Sequence, residues 1–244
     1  MVGTGCVSEF VRYHYLFNKE YYFSRNIENR HNRNIILVDL SRGMEYIWNK
    51  EFSATNRNLV RKLVKEGFSV CIEEGAGNLE LFIDMYESTM KNANAAEFYY
   101  FPRSFYYNLF RKLGNNIFLA RVEKDGHTYA AALFFKSGNI LTYYLSARDL
   151  MNYKVPSSNL LLSEVIKYAA SENCLMFNLG GGTINSDDDS LFKFKKNFSC
   201  NTYEFTIGKR IHNPDMYESI RDNYIRSKGM DLYEKRKHIL QFYR

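Results

Sequence analysis

From Phe68 onward, apolar and polar positions switch between two periods, and each switch marks an element. Phe68–Glu73 predicts a strand, and Leu79, Phe82, Ile83, Tyr86 and Met90 then fall at 3.6-residue spacing on a helix that Asn78 would cap. Pro102 suits the first position of a shorter helix through Phe105, Leu109 and Leu113, which Gly114 stops. Asn116–Glu123, His127–Lys136 and Ile140–Ala147 are strands joined by tight turns at Asp125-Gly126 and Ser137-Gly138-Asn139, an antiparallel meander. Pro156 opens a helix over Ser157–Ser171 with Leu161, Leu162, Val165, Ile166 and Ala169 on its apolar side. A strand at Leu175–Leu179, a short helix and a last strand at Thr202–Lys209 follow. The order from residue 68 is β-α-α-β-β-β-α-β-α-β, and a meander followed by a crossover helix implies a mixed sheet.

Ahead of residue 68 the pattern is weaker. Asn34–Leu40 reads as a strand, and Ser53 as the N-cap of a helix over Ala54–Glu66 ended by Gly67. Leu59 and Leu63 share one face of that helix, while Arg57, Arg61, Lys62 and Lys65 share another. Residues 8–33 show no period, are rich in aromatics and arginines, and read as irregular structure or as the tail of something that begins earlier. Residues 213–229 and 231–238 read as terminal helices.

The stretch richest in chemistry is Leu175–Phe198. An apolar strand runs into Gly180-Gly181-Gly182, an acidic cap at Asp187–Asp189, and a helix with Phe192, Lys195 and Phe198 at helical spacing. Three glycines let the backbone turn sharply and approach a ligand closely. A lysine on the helix would set a fixed cation near the turn, an arrangement suited to an oxyanion or a phosphate. A plain strand–turn–helix joint has the same residues, and a solvated lysine the same spacing. Arg57 and Arg61 could meet an anionic substrate or simply face water, and Tyr99 and Tyr100 could line an acceptor cleft or pack before Pro102.

Composition narrows the setting. No run of eighteen apolar residues predicts a membrane span. Cys6, Cys71, Cys174 and Cys200 are too scattered for a metal site, and Cys71 and Cys174 lie in apolar runs, so they read as reduced core thiols of a cytoplasmic protein without a metal. The net charge is +6, and residues 209–244 hold nine Lys/Arg against five acids. Such a tail favours an anionic partner, RNA or a nucleotide-linked substrate rather than DNA, or forms a solvated helix.

The order of elements resembles the Gcn5-related N-acetyltransferase (GNAT) fold, and within it the FemABX aminoacyltransferases of peptidoglycan bridges and the BioF2-like acetyltransferases. The residues that carry this are Val7–His14, Asn34–Leu40, Arg57 with Val60-Arg61-Lys62, Thr89-Met90, Tyr99-Tyr100-Phe101, Asn178–Gly182, Ser190-Leu191, Phe194–Phe198 as an FKxxF pattern, and Phe242-Tyr243-Arg244. The resemblance implies an α+β, three-layer acyl-CoA N-acyltransferase fold with a mixed, mostly antiparallel sheet. It divides the chain into residues 1–67, a remnant of a first, acceptor-side domain; 68–210, a complete GNAT-like domain; and 211–244, a helical extension. It implies a bacterial enzyme that moves an acyl or aminoacyl group to the amine of a small molecule or peptidoglycan precursor, with acyl-CoA or acetyl-CoA as donor and aminoacyl-tRNA as the alternative. A third reading is a catalytically inactive GNAT-like binding domain.

By the same resemblance, Lys195 is the catalytic candidate, and Gly180, Gly181, Gly182, Arg148, Lys154, Ser157 and Phe194 are the donor-binding candidates. Arg57, Arg61, Tyr99 and Tyr100 belong to the acceptor side. Ordinary acetyltransferases place Q/R-x-x-G-x-G/A at the joint before the crossover helix, whereas Ala147–Asn159 contains no glycine. Here the helix start after Pro156, with Lys154 and Arg148, would have to hold the donor's phosphates. The tyrosine acid that such enzymes carry on the helix after the next strand is also missing, since that helix offers Phe192, Phe194 and Phe198.

Overall fold

The computed structural model of the chain describes residues 5–16 and 27–243. In chain order its elements are β1 (Ser8–Arg12), β2 (Glu28–Asp39), α1 (Met44–Tyr46), α2 (Ala54–Lys65), β3 (Ser69–Glu73), α3 (Leu79–Asn92), α4 (Arg103–Leu113) and β4 (Ile117–Lys124). There follow β5 (His127–Ser137), β6 (Ile140–Arg148), α5 (Ser157–Ser171), β7 (Met176–Gly180), α6 (Ser190–Lys196), β8 (Thr202–Ile211), α7 (Pro214–Lys228) and α8 (Met230–Arg236). Contacts divide the chain into two units, residues 35–202 and residues 1–34 with 203–244. That is a partition by contact, whereas the sequence-based division at 67 and 210 is one by descent, and the two need not coincide.

In the larger unit the strands run in the order β2-β7-β6-β5-β4-β3. Every pairing is antiparallel except β6 with β7. The mixed sheet expected from the meander and crossover helix is therefore present, and apolar side chains leave both of its faces. On one side Phe118, Ala120, Phe134 and Phe177 meet Val60 and Leu63 of α2 and Leu161, Val165 and Ile166 of α5. On the other, Ile117, Leu119, Ala131 and Leu133 meet Phe82, Ile83 and Tyr86 of α3 and Tyr106 and Phe110 of α4. A sheet buried on both faces gives the near-continuous apolar runs seen in β4 and β5.

Two local irregularities shape the middle of this sheet. The pairing of β5 with β6 passes from Leu133↔Leu145 to Phe134↔Tyr143, so Tyr144 is an extra residue. The pairing of β2 with β7 passes from Ile36↔Gly180 to Leu37↔Asn178, so Leu179 is another. Bulges bend a strand and raise its twist. Both lie immediately beyond Thr142↔Asn178, the last pair that joins β6 to β7. The two strands part there, and β6 continues to Arg148 paired with β5 only.

In the smaller unit β8 lies between β1 and β2. Its register with β1 runs from Ser8↔Ile211 to Arg12↔Ile207. Phe242 is buried among the rings of Tyr217, Tyr224 and Tyr233 at 5.2–5.7 Å, which gives the exposed helices α7 and α8 a shared anchor.

Several expectations are corrected. Residues 8–33 were expected to be irregular, yet they hold β1 and the start of β2, while 17–26 lie outside the described residues. The polar run Glu28–Asn34 has no apolar period, and backbone pairing rather than side-chain burial makes it a strand. Asn78 takes the N-cap position of α3 as expected, but its side chain makes no cap bond; its Nδ2 donates to both carboxylate oxygens of Glu73, at 2.9 and 3.0 Å. Pro102 sits one residue outside α4. Cys174 is buried, but Cys71 is only partly covered. Ser53 does cap α2, its Oγ accepting the N–H of Asn56 at 3.1 Å.

Candidate functional site

The site begins with the turn after β7. Gly180 has φ +74°, a left-handed conformation that a side chain would strain, and a Cβ there would stand 3.4 Å from Lys195 Nζ. Gly182 is required by crowding, since a Cβ would fall 2.4 Å from Asp189 Oδ1. Asp189 folds the loop back on itself. Its Oδ2 accepts the N–H groups of Thr183 and Ile184 at 3.0 and 3.1 Å, and its Oδ1 caps α6 by accepting that of Phe192 at 2.8 Å. Burial alone would raise the Asp189 pKa, but the N–H donors from Phe192, Ile184, Thr183 and Leu191 hold it below the usual carboxylate range. Of its acidic neighbours, Asp188 pairs with Lys193 at 2.7 Å and Asp187 is exposed.

This loop positions Lys195. The residue lies on the inner face of α6, is 6% exposed, and donates from Nζ to the Gly181 carbonyl at 2.7 Å. The same nitrogen lies 5.7 Å from the ring centroid of Tyr143, the β6 residue just past the point where β6 and β7 separate. Burial raises the Tyr143 pKa, opposed only by a hydrogen bond with Ser146, so its phenol is neutral at ordinary pH.

The separation of the strands opens a cleft of about 600 Å³. Tyr143, Ser146, Ala147 and Arg148 of β6 form one wall, the loop Tyr153–Pro156 and the start of α5 form the end, and Ser190, Leu191 and Phe194 of α6 face them. Thr89 and Ala93 close the remaining side, because Thr89 Oγ1 accepts the N–H of Arg148 at 3.2 Å. Among the described lining residues the charged ones are Arg148 and Lys154, both cations. A concave pocket of this charge next to a helix N-terminus suits an anionic ligand.

Arg148, Lys154 and Phe194 line this cleft, whereas Lys195 and Gly180–Gly182 are not among its lining residues and adjoin it through the Tyr143 ring, 5.7 Å from Lys195 Nζ. Phe194 also packs edge-on against Phe198 at 5.5 Å, so it serves the core as well. Ser157 is not at the surface of the cleft. It is 3% exposed and donates to the Tyr129 carbonyl at 3.2 Å. Arg57 and Arg61 are placed elsewhere. Arg57 donates to the carbonyls of Trp48, at 3.2 Å, and Phe52, closing the π-helical turn Ile47–Glu51, and Arg61 lies 5.4 Å from the Trp48 ring centroid. Tyr99 and Tyr100 are exposed at 41% and 43%, in the segment that follows α3.

Tyr143, Ser146, Ser158 and Asn159 are lining residues that the sequence pattern does not single out, and Thr89 figures there only as part of the resemblance, with no role assigned. Tyr143 shares its face with Leu141 by ordinary strand alternation, and the bulge at Tyr144 then sends Leu145 and Ala147 to the opposite face. Among the described residues, no three His, Cys, Asp or Glu side chains gather to hold a metal, and no helix is long and apolar enough to cross a membrane.

Residues 50–195 match the family model of the acetyltransferase (GNAT) domain. Among solved structures the chain is similar to FemX, with a TM-score of 0.67 and 16% identity over 81% of this chain and 65% of that one. It is similar to the C-terminal domain assigned to a lysylphosphatidylglycerol synthetase from Agrobacterium fabrum, at 0.55 and 17%, covering 84% and 68%. It is also similar to L-PGS from Bacillus licheniformis, at 0.58 and 14%, covering 77% and 63%. The chain therefore spans less than two thirds of FemX and of L-PGS. No curated protein matches it by sequence.

Proposed function

Because the chain belongs to the acetyltransferase (GNAT) family, with a fold of the FemX type, we propose that it moves an acyl or aminoacyl group from an activated carrier to an amine, with acyl-CoA as the donor. One observation carries this reading: a buried lysine ammonium stands on the glycine turn where β6 and β7 part, against Tyr143 in the cleft wall. The donor's phosphates lie toward Arg148, Lys154 and the start of α5, and its acyl carbon toward Tyr143. The amine attacks that carbon, a C–N bond forms, and charge collects on the carbonyl oxygen. A fixed cation sheltered from water stabilises that charge far better than one in bulk solvent, and this role we assign to Lys195. The C–S bond then breaks. The neutral Tyr143 phenol protonates the departing thiolate, and the proton lost by the amine restores the phenol. Positioning in the cleft supplies the remainder of the rate.

Aminoacyl-tRNA is the second donor reading, supported by the glycine-free joint Ala147–Asn159 and by the likeness to a domain assigned to lysylphosphatidylglycerol synthetase. The acceptor would be the amine of a small molecule or a peptidoglycan precursor, entering past Tyr99 and Tyr100. Arg57 and Arg61 have no part in this reading, since Arg57 is held by backbone carbonyls and Arg61 lies on an indole. The test is calorimetric titration of acetyl-CoA, a longer acyl-CoA and charged tRNA into wild type and Lys195→Ala, followed by turnover with an amine panel. Saturable acyl-CoA binding with turnover that depends on Lys195 supports the reading. Binding of charged tRNA alone moves the donor to that class. Binding without turnover against a broad amine panel points to an inactive binding domain, and no binding at all overturns the donor cleft.

A further inference from the structure

Asn159, in the first turn of α5, is 8% exposed and lines the cleft. A relay of hydrogen bonds fixes which end of its amide faces inward. The backbone carbonyl of Asn197 can only accept, and Asn56 Nδ2 donates to it at 3.4 Å. The other end of Asn56, Oδ1, must then face away, where it accepts Asn159 Nδ2 at 2.8 Å. Ser53 holds the first two members in place by donating to Asn197 Oδ1 at 2.8 Å and accepting the Asn56 N–H at 3.1 Å. Asn56 is fully buried, so reversing either amide would set like groups against each other with no water to relieve them. Asn159 Oδ1 is left over, and among the described residues it takes part in no hydrogen bond.

The polarity of that oxygen is opposite to that of its surroundings. Arg148, Lys154 and the start of α5 attract anions, whereas an amide oxygen facing the cleft repels an anion and seeks a hydrogen-bond donor. Leaving it unmatched when a ligand displaces water would cost affinity, so the ligand that fits must present a hydrogen-bond donor at this point. We infer that Asn159 Oδ1 is a specificity-determining acceptor for an N–H group of the donor molecule, within reach of its activated acyl group. In acyl-CoA that group is an amide N–H of the pantetheine arm. In an aminoacyl ester it is the ammonium of the aminoacyl moiety. The inference rests on the donor reading of the cleft given above.

The experiment pairs each donor with a partner that lacks the N–H. Acetyl-CoA is compared with its analogue N-methylated at both pantetheine amides, and minihelix RNA charged with alanine with the same RNA esterified by propionate. All four are titrated calorimetrically into wild type and Asn159→Ala. For whichever donor binds wild type, Asn159→Ala weakens the N–H-bearing form about five- to tenfold and shifts the blocked form by less than about twofold. Equal weakening of both forms, or of neither, overturns the inference. Should Asn159→Ala fail to fold, Asn159→Ser, whose hydroxyl can still donate toward Asn56, is read by the same criterion. Wild type that binds none of the four refutes the donor cleft, and the inference falls with it. A cleft that holds its donor while ignoring the blocked nitrogen refutes the inference alone.

Discussion

Lys195 Nζ donates to the carbonyl of Gly181 at 2.7 Å, across fourteen residues of chain. The contact ties the one strongly buried lysine named in the described core to the turn that ends β7. It holds the ammonium in a single place before any substrate arrives. Preorganisation of this kind is what makes a cation useful to a developing oxyanion.

Replacing Lys195 by alanine is therefore expected to lower kcat for acyl transfer by about a hundred- to a thousandfold, the usual loss for one such contact. Donor affinity should change far less, because the proposed phosphate contacts, Arg148 and Lys154, are separate from Lys195. Steady-state kinetics with separate binding titrations checks this, and a loss confined to KM would contradict it.

Tyr143→Phe keeps the ring that stacks on Phe134 at 5.5 Å but removes the hydroxyl. We expect near-native melting and a fall in kcat of about tenfold to a hundredfold, in the lower part of the range for general acids. A donor whose leaving group is a weaker base should suffer less from the substitution. If both donors lose the same factor, Tyr143 is not the proton source.

Arg148→Ala and Lys154→Ala should each weaken binding of the anionic donor, and the loss should shrink as ionic strength rises toward the screened regime. Titrations at low and high salt would show this. Arg57→Ala should instead lower stability, since it uncaps the carbonyls of Trp48 and Phe52, and should leave the KM for the amine unchanged.

Gly182→Ala forces a methyl group into the Asp189 carboxylate. The loop must shift or the cap must break, with an expected cost of about 2 kcal/mol, as for other overpacked sites. Urea unfolding measures that cost. Because the same loop carries Gly181, activity should fall by more than the loss of folded protein accounts for.

Glu73 gives a pH test of stability. Burial would raise its pKa, but the Asn78 amide and the Arg121 guanidinium, whose Nε donates to Oε1 at 2.8 Å, outweigh that and hold it below the ordinary value of 4.5. A carboxyl with a depressed folded pKa contributes stability above its unfolded pKa and loses it as pH falls through the folded one. Stability should thus decline below about pH 4.5 in wild type, and this part of the decline should be absent in Glu73→Gln. At neutral pH that variant should be about 2 kcal/mol less stable, a typical value for a hydrogen-bonded charged partner of a buried arginine.

The order of elements was legible in the sequence because each element carries its own period and punctuation. Asp125-Gly126 and Ser137-Gly138-Asn139 form the meander turns between β4, β5 and β6, and Asp189 caps α6 as an acidic residue before a basic helix should. The nearness of Lys195 to the glycine turn was legible too. Turn, cap and helix lie within twenty residues, so local geometry alone brings them together. Tertiary structure decided what the sequence left open. The bulges at Tyr144 and Leu179 part β6 from β7, and no residue type announces them. Beside that parting Tyr143 lies near Lys195, and Thr89, Arg148 and Asn159, each from a different element, come to one cleft. The π-helical turn just ahead of α2 gave Arg57 to the carbonyls of Trp48 and Phe52, and packing across the chain gave Ser157 to that of Tyr129. A side chain's chemistry is written in the sequence, but whether it meets a ligand or a backbone carbonyl depends on which strand or helix the fold lays beside it.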